Sequence, residues 1–230
     1  MEQAIREELE LRLKRLQAQE ACRNLMGRYL FGHPAFDNLD YIESWAKRDD
    51  DILEMPWGTY ESFEGVKNCY LHDHGDRSLP ETYNTLGGAL FLHEADTEVI
   101  EVAADGMTAR GCWLSGGQET FVMQDFSRKT GDAMGTWEAE WAWSKYAVDF
   151  ICEDGEWKIW RMRLYPLFKA PFGKSWVEEK QPEPEDWSFD EIVKRPELPW
   201  WTYGPDKIYP ANEPEPPKPY NTYADVGYCL

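Results

Sequence analysis

The sequence lacks the long apolar segments of membrane-spanning and secreted proteins and the excess of basic residues that is typical of nucleic-acid-binding proteins. No window approaches the roughly 20 consecutive apolar residues that span a bilayer, and the charged N-terminal segment lacks the apolar stretch of a secretory signal. Lysine and arginine number 24 against 43 acidic residues, so the formal net charge is −19. Phosphate backbones and anionic membrane surfaces are disfavoured partners because both are bound through basic side chains. We therefore expect a cytoplasmic protein that binds neither nucleic acid nor membrane.

Cysteine clusters and nucleotide-binding motifs are also missing. The five cysteines show no C-x-x-C spacing, which favours free thiols over a structural zinc site. The run His72-Asp73-His74 places its histidines at i and i+2, which do not share a helix face, and it therefore predicts a polar helix end. No G-x-G-x-x-G, Walker A or G-x-S-x-G motif occurs. The sequence predicts neither a metal nor a cofactor.

Aromatic residues, by contrast, are abundant. The chain has 230 residues, of which 12 are Trp, 12 Tyr and 10 Phe, and 42% are hydrophobic. This length suits one well-buried domain with appendages. Tryptophan and tyrosine combine a large apolar area with one polar group, so such a content favours either a large core or an aromatic-lined pocket for a small hydrophobic or aromatic substrate.

Hydrophobic periodicity predicts helices first and strands afterwards. Helices are expected over residues 2–31, 39–48 and 66–75, and strands over residues 52–58, 90–93, 97–103, 108–115, 134–152 and 157–168, with Gly116 and Gly117 as a break. This order predicts an α+β fold with three helices on one face of a curved antiparallel sheet. In the first helix Ile5, Leu9, Leu13 and Leu16 form a thin apolar stripe, which lies either across a partner subunit or on the chain's own domain.

The composition divides the chain into three parts. Residues 1–17 are predicted to be a helical extension, residues 18–168 the domain, and residues 169–230 an extended arm. The arm is rich in proline, which prevents regular structure. It also carries Trp176, Trp187, Trp200 and Trp201. These aromatic residues favour an arm laid over the core or over a neighbouring subunit, with disorder as the alternative.

Four segments, taken in order, resemble the SnoaL-like branch of the NTF2-like superfamily. They are CRNLMGRY (residues 22–29), WGTYESFEGV (57–66), residues 93–113 and YAVDFICEDGEWKI (146–159). The resemblance implies an α+β cone enclosing a deep pocket, and a homo-oligomer, either dimer or trimer. Members of the superfamily include cofactor-independent dehydratases, steroid isomerases, polyketide cyclases and lyases that release formaldehyde from aromatic compounds. Others have no catalytic activity, so the fold does not settle the function.

The resemblance also implies candidate catalytic residues. His93 matches the catalytic histidine of the dehydratases, and a neutral imidazole can accept a proton near pH 7; the alternative is a hydrogen-bonded interior histidine. Tyr29 matches a tyrosine that donates its hydroxyl into the pocket, although it would also suit the core. Asp37 or Asp40 could supply a carboxylate, with helix capping as the alternative for Asp37. The acidic residue that dehydratases carry after Trp113 is missing here.

The strands supply further candidates by alternation. Trp141, Trp143, Lys145 and Asp149 share one face, where Lys145 and Asp149 could act as an acid/base pair inside the pocket or lie as surface charges outside it. Arg161 and Arg163 share a face of the last strand, and could either hold a substrate oxygen or face solvent. The remaining candidates for contact with a substrate are Trp57, Tyr60, Trp113 and His33.

These observations predict a cofactor-independent lyase acting on a hydroxylated aromatic or polycyclic small molecule. His93 would be the general base and Tyr29 the donor to the departing oxygen. The products would be water, or formaldehyde by a route like a retro-aldol reaction. A double-bond isomerase in the same pocket and a non-catalytic binding or assembly module remain the alternatives.

Overall fold

The computed structural model describes residues 1–83, 86–123, 136–181, 194, 203–206, 208 and 214–225. Its helices are α1 (Glu2–Gly32), α2 (Asn38–Ile42), α3 (Ser62–Asn68) and α4 (Pro80–Tyr83), with a 3-10 turn (His33–Ala35) after α1 and a π-helical turn (Cys69–Asp73) after α3. Helix α2 is shorter than predicted. After it, Lys47 adopts a positive φ of 62°, and the carboxylate of Asp51 accepts the backbone N–H of Arg48 at 3.0 Å. This local hydrogen bond competes with helical bonding.

Seven strands form one sheet in the order β2-β1-β7-β6-β5-β3, with β4 also paired to β5. Their bounds are β1 Ile52–Met55, β2 Gly58–Glu61, β3 Leu90–His93, β4 Asp96–Val102, β5 Thr108–Met123, β6 Thr136–Glu153 and β7 Glu156–Pro171. Strands β1 and β7 pair in parallel, so the prediction of a purely antiparallel sheet was wrong at this position. The two strands are about a hundred residues apart in the sequence. No local turn motif therefore indicates that they pair.

The α+β prediction is confirmed, with α1 packed on one face of the sheet. Its buried residues Ala18, Cys22, Met26 and Tyr29 recur at helical spacing. They join a core that includes Tyr146, Val148 and Phe150 of β6. We call this side of the sheet the helix face and the opposite side the outer face. Because strand residues alternate, every second residue of β6 belongs to the outer face.

The predicted break at Gly116 and Gly117 was also wrong, because β5 runs through both residues. A Cβ atom at Gly117 would lie 2.4 Å from Nδ1 of His93, and one at Gly116 would lie 3.1 Å from the ring of Trp143. The two glycines therefore make room for neighbouring side chains on the two faces of a continuous strand. The gap between the strands predicted over residues 134–152 and 157–168 is a turn at Asp154-Gly155. Both residues have positive φ, as tight two-residue hairpins require.

Part of the C-terminal segment packs on the outer face. Ala104 donates its backbone N–H to the carbonyl of Tyr220 at 2.9 Å, and the hydroxyl of Tyr223 donates to Asp149 at 2.8 Å. Trp187, Trp200 and Trp201 lie outside the described residues. In the part of the chain that is described, every helix is too short or too polar to cross a membrane.

Candidate functional site

The end of α1 and the segment after α3 bring aromatic and imidazole side chains together. Tyr29 and His33 are four residues apart, so they lie on one side of the chain and stack with ring centroids 5.7 Å apart. Tyr70 donates its hydroxyl to that of Tyr29 at 3.2 Å. The ring of His74 lies 5.1 Å from His33. All four residues thus meet beneath the edge of the sheet that carries β3.

Strand β3 adds Phe91 and His93, which point to the same face because they are two residues apart. Phe91 stacks on His33 at 6.0 Å, and the centroid of His93 is 6.3 Å from that of His33. We call His33, His74 and His93 the histidine cluster. Among the described residues, no three His, Cys, Asp or Glu side chains are arranged to hold a metal ion.

Glu119 of β5 is the carboxylate partner of His93. Its Oε1 lies 3.2 Å from Nε2 of His93, and both side chains are almost fully buried. The contact follows from the strand register, since His93 pairs with Gly117 and the side chain of Glu119 emerges on the same face two residues later. The carboxylate thereby fixes the orientation of the imidazole ring.

Lys169 of β7 lies between two carboxylates, with Nζ 2.9 Å from Oε2 of Glu119 and 2.7 Å from Oε2 of Glu140. Burial alone would raise the pKa of Glu119, but the hydrogen bond from His93 and the charge of Lys169 outweigh it and lower that pKa to about 2. Burial acts to lower the pKa of Lys169, and the two carboxylates reverse the effect and raise it. Glu119 is therefore ionised and Lys169 protonated at neutral pH.

The ionised state of Glu119 determines the tautomer of the neutral His93 ring. An ionised carboxylate can only accept, so in the neutral form of the ring Nε2 of His93 carries the proton and Nδ1 carries the lone pair. Nδ1 of His93 and Nδ1 of His33 are buried and have no hydrogen-bond partner among the described residues. Burial, reinforced by His74 and His93, lowers the pKa of His33 well below its usual value. His33 is therefore a neutral imidazole near pH 7.

The tyrosines of the site are neutral hydrogen-bond donors. Tyr29, Tyr70 and Tyr146 are fully buried, and burial raises the pKa of each well above the usual value. The ring of Tyr29 contacts that of Tyr146 edge to face at 6.1 Å. A buried phenol that keeps its proton can stabilise a developing oxyanion by donating to it.

The structure brings together several of the residues singled out from the sequence. Tyr29 and His93 each lie beside His33, and the ring of Trp57 lies 5.2 Å from that of His74. Tyr60 and Trp113 are buried in the core, where Trp113 packs edge to face against Phe150 at 6.2 Å. The catalytic and binding roles of these residues stay predictions.

Six other candidates lie on the outer face, so the prediction that they share the pocket with His93 was wrong. Tyr146 pairs with Trp113 on the helix face, which places the odd-numbered residues of β6 on the other side. These candidates are Trp141, Trp143, Lys145 and Asp149 of β6, with Arg161 and Arg163 of β7. Alternation groups residues by face but does not say which face the helices cover.

The outer-face candidates make contacts of their own. Arg163 pairs with Glu54 at 3.0 Å, and the hydroxyl of Tyr223 accepts a hydrogen bond from Arg161 at 2.5 Å and donates one to Asp149. Trp141 stacks on Phe172, and Trp143 stacks on Phe168. Neighbouring strands and the C-terminal segment therefore bury the charged side chains of this group on the outer face.

Asp37 makes its side-chain contact with a basic residue. It occupies the N-cap position of α2 without a capping hydrogen bond from its side chain, and it pairs with Arg77. Asp76 caps the helix instead, accepting the backbone N–H of Leu39 at 2.5 Å. Asp37 therefore forms an ion pair in place of the capping hydrogen bond, and its catalytic role stays a prediction. Asp40 is exposed.

Sequence reasoning missed Glu119, Lys169 and His74. Glu119 was missed because the strand was ended at Ser115, although Ser115, Gly117 and Glu119 continue its alternation. Lys169 lies just beyond the predicted end of β7. His74 was assigned to a polar helix end, whereas its ring is part of the histidine cluster; the side chains of His72 and Asp73 lie outside the described part of the chain.

Comparison with known proteins adds the family. The chain matches the model of the SnoaL-like domain over residues 14–163. It resembles the crystal structure of LinA, with a TM-score of 0.52, 15% identity and coverage of 75% of this chain and 99% of the other. The LinA type 2 hexachlorocyclohexane dehydrochlorinase gives a TM-score of 0.50 and 16% identity, with coverage of 74% of this chain and 97% of the other. The LinA-type3 dehydrochlorinase from Novosphingobium barchaimii LL02 gives a TM-score of 0.49 and 16% identity, with coverage of 71% of this chain and 95% of the other.

These structural likenesses, at such low identity, concern the fold. No curated protein sequence matches the chain. The family model, however, spans well over half of the 230 residues, and its limits enclose α1 from residue 14 onwards, the strands β1 to β6 and all three residues of the histidine cluster. The chain therefore belongs to the SnoaL-like family of the NTF2-like superfamily.

Proposed function

We propose that this protein is a cofactor-independent lyase that uses His93 as general base on a hydroxylated aromatic or polycyclic small molecule. The observation that carries the proposal is the contact between Nε2 of His93 and Oε1 of Glu119 at 3.2 Å. It would hold the neutral imidazole in the tautomer whose lone pair is on Nδ1, a buried atom with no hydrogen-bond partner among the described residues. A base oriented by a carboxylate in this way is the arrangement that proton abstraction near pH 7 requires.

In a dehydration, Nδ1 of His93 would take the proton from the carbon next to the one that bears the hydroxyl. The electron pair of that C–H bond forms the double bond as the C–O bond breaks. Tyr29 donates a hydrogen bond to the departing oxygen, and the imidazolium returns its proton to give water. Positioned acid–base groups contribute about 10²–10⁴-fold each to such a reaction.

Release of formaldehyde would use the same base on a different proton. Here Nδ1 of His93 would take the proton of a primary hydroxyl group, and the adjacent C–C bond would break as the carbonyl of formaldehyde forms. The carbanion left behind then needs either a proton or the loss of a neighbouring hydroxyl group. Tyr29 would donate to whichever oxygen gains charge.

The charges near His93 favour an uncharged substrate. Glu119 and Glu140 share the single positive charge of Lys169, so this group carries a net charge of −1. The basic side chains of Arg161, Arg163 and Lys145 lie on the outer face, where they cannot meet the substrate. An anionic substrate would be repelled by the buried carboxylates, whereas hydroxyl groups can bond to the imidazoles and phenols.

The experiment pairs the wild type with His93→Gln, and uses Asp149→Asn as a variant of a buried polar residue on the outer face. All three are screened by thermal shift against uncharged hydroxylated aromatic and polycyclic compounds, and stabilising compounds are followed by mass spectrometry. The proposal expects loss of water or formaldehyde with the wild type and Asp149→Asn, but not with His93→Gln.

Other outcomes distinguish the alternatives. A product of unchanged mass with a shifted double bond, dependent on His93, would identify an isomerase. Compounds that stabilise all three proteins and stay chemically unchanged would contradict the lyase and support a binding module.

A further inference from the structure

The first four turns of α1 extend away from the chain's own domain. Every residue from 1 to 14 is exposed, and the first buried residue of the helix is Ala18. The helix is fixed to the domain from Arg15 onwards, where Arg15 donates to the carbonyl of Val102 at 3.0 Å and Gln19 to that of Ile100 at 2.9 Å. The N-terminal extension, defined as residues 2–16, is therefore held to the sheet near its C-terminal end, at Arg15.

This extension nevertheless carries an apolar stripe. Ile5, Leu9, Leu13 and Leu16 recur at intervals of four, four and three, and their exposures are 52%, 59%, 56% and 63%. A helix of this length is marginal by itself in water, and such a stripe usually packs against another surface. The described residues of the domain leave the stripe exposed, so a surface from outside the domain would complete it.

The charges of the extension indicate what that partner is. Its first half has four acidic residues and one basic residue, a net charge of −3, and its second half has three basic residues, a net charge of +3: Glu2, Arg6, Glu7, Glu8 and Glu10, then Arg12, Lys14 and Arg15. Two copies side by side in the same direction would place like charges together. In opposite directions, each acidic half meets a basic half.

The stripe is compatible with the same antiparallel arrangement. Around a centre near Leu11, Ile5 of one copy lies opposite Leu16 of the other, and Leu9 lies opposite Leu13. We propose that residues 2–16 form an antiparallel helix pair with the same segment of a second copy of this chain. The contact is self-complementary, as a two-fold symmetric dimer requires.

The first test changes the stripe in the full-length protein. Leu9→Gln with Leu13→Gln keeps the charge and helix propensity, and Leu11→Gln is the matched control because Leu11 projects from the opposite side of the helix. By sedimentation equilibrium we expect the double variant to weaken self-association at least ~100-fold, and the control to leave it unchanged. A monomeric wild type, or equal association in all three proteins, would overturn the proposal. Far-UV circular dichroism verifies that each variant is folded.

The second test changes the direction of the charges. Glu7→Lys, Glu8→Lys and Glu10→Lys together place basic residues opposite basic residues in an antiparallel pair, so association should weaken at least ~10-fold at low salt. Adding Arg12→Glu and Lys14→Glu should restore it. In a parallel pair the triple change only exchanges one like-charge contact for another. Unchanged association after the triple change would therefore contradict the antiparallel arrangement.

Discussion

A methyl group at Gly117 of β5 should displace the ring of His93 and thereby reduce turnover. A Cβ atom there would lie 2.4 Å from Nδ1 and 2.7 Å from Cε1 of His93, and 2.7 Å from the backbone oxygen of Ala142. Contacts this short cannot be maintained, so Gly117→Ala must displace the His93 ring and break its hydrogen bond to Glu119. Overpacking of this kind costs about 1–3 kcal/mol, which corresponds to a fall in melting temperature of roughly 3–10 °C.

Gly116→Ala is the matched control, since its methyl group meets only the ring of Trp143, at 3.1 Å, on the outer face. Melting temperature is measured by differential scanning calorimetry, and turnover of a compound from the screen by mass spectrometry. We expect Gly117→Ala to lose about 10²–10⁴-fold in turnover, the range for one general base, and Gly116→Ala to stay within a few-fold of the wild type. Wild-type turnover by Gly117→Ala would refute the assignment of His93 and its geometry.

Three further predictions follow, each checked by urea unfolding. The pKa of Glu119 is lowered to about 2, so the ionised carboxylate contributes fully to the free energy of unfolding above about pH 4.5, and this contribution is lost as the pH falls towards 2. Glu119→Gln should therefore reduce the loss of stability in acid by about 2–3 kcal/mol. Burial raises the pKa of Asp51 to about 7, so the free energy of unfolding should fall as the pH rises from about 4 through 7 and the buried carboxyl group ionises. Asp51→Asn should flatten this decline, and an unchanged dependence on pH would contradict the burial argument. Asp149→Asn should cost about 1–3 kcal/mol through its contact with Tyr223, but leave turnover intact.

The sequence predicted the fold better than the site because the two depend on different information. Helical spacing of Ala18, Cys22, Met26 and Tyr29 and the turn at Asp154-Gly155 are local, and both were readable without a structure. The parallel pairing of β1 with β7 joins distant segments and had no local signal. For the same reason the general α+β order was confirmed while the fully antiparallel sheet was not.

Prediction of the site required knowing which face of the sheet the helices cover, and strand alternation does not reveal this. His93 and Tyr29 were predicted from the resemblance, and the structure places both beside His33. Lys145 and Asp149 follow an equally regular pattern on β6, but the helices cover the other face of that strand. Glu119 was lost because two glycines were read as a break, whereas their missing side chains are what allow His93 and Trp143 to approach the strand.

The most direct measurement is the nitrogen NMR spectrum of the His93 imidazole in the full-length protein, recorded for the neutral form of the ring. The account requires the proton to reside on Nε2, facing Glu119, with Nδ1 unprotonated. It also predicts that Glu119→Gln, which can donate as well as accept, yields a mixture of tautomers. A His93 that carries its proton on Nδ1 in the wild type, or a tautomer that is indifferent to Glu119→Gln, would contradict the role of this pair.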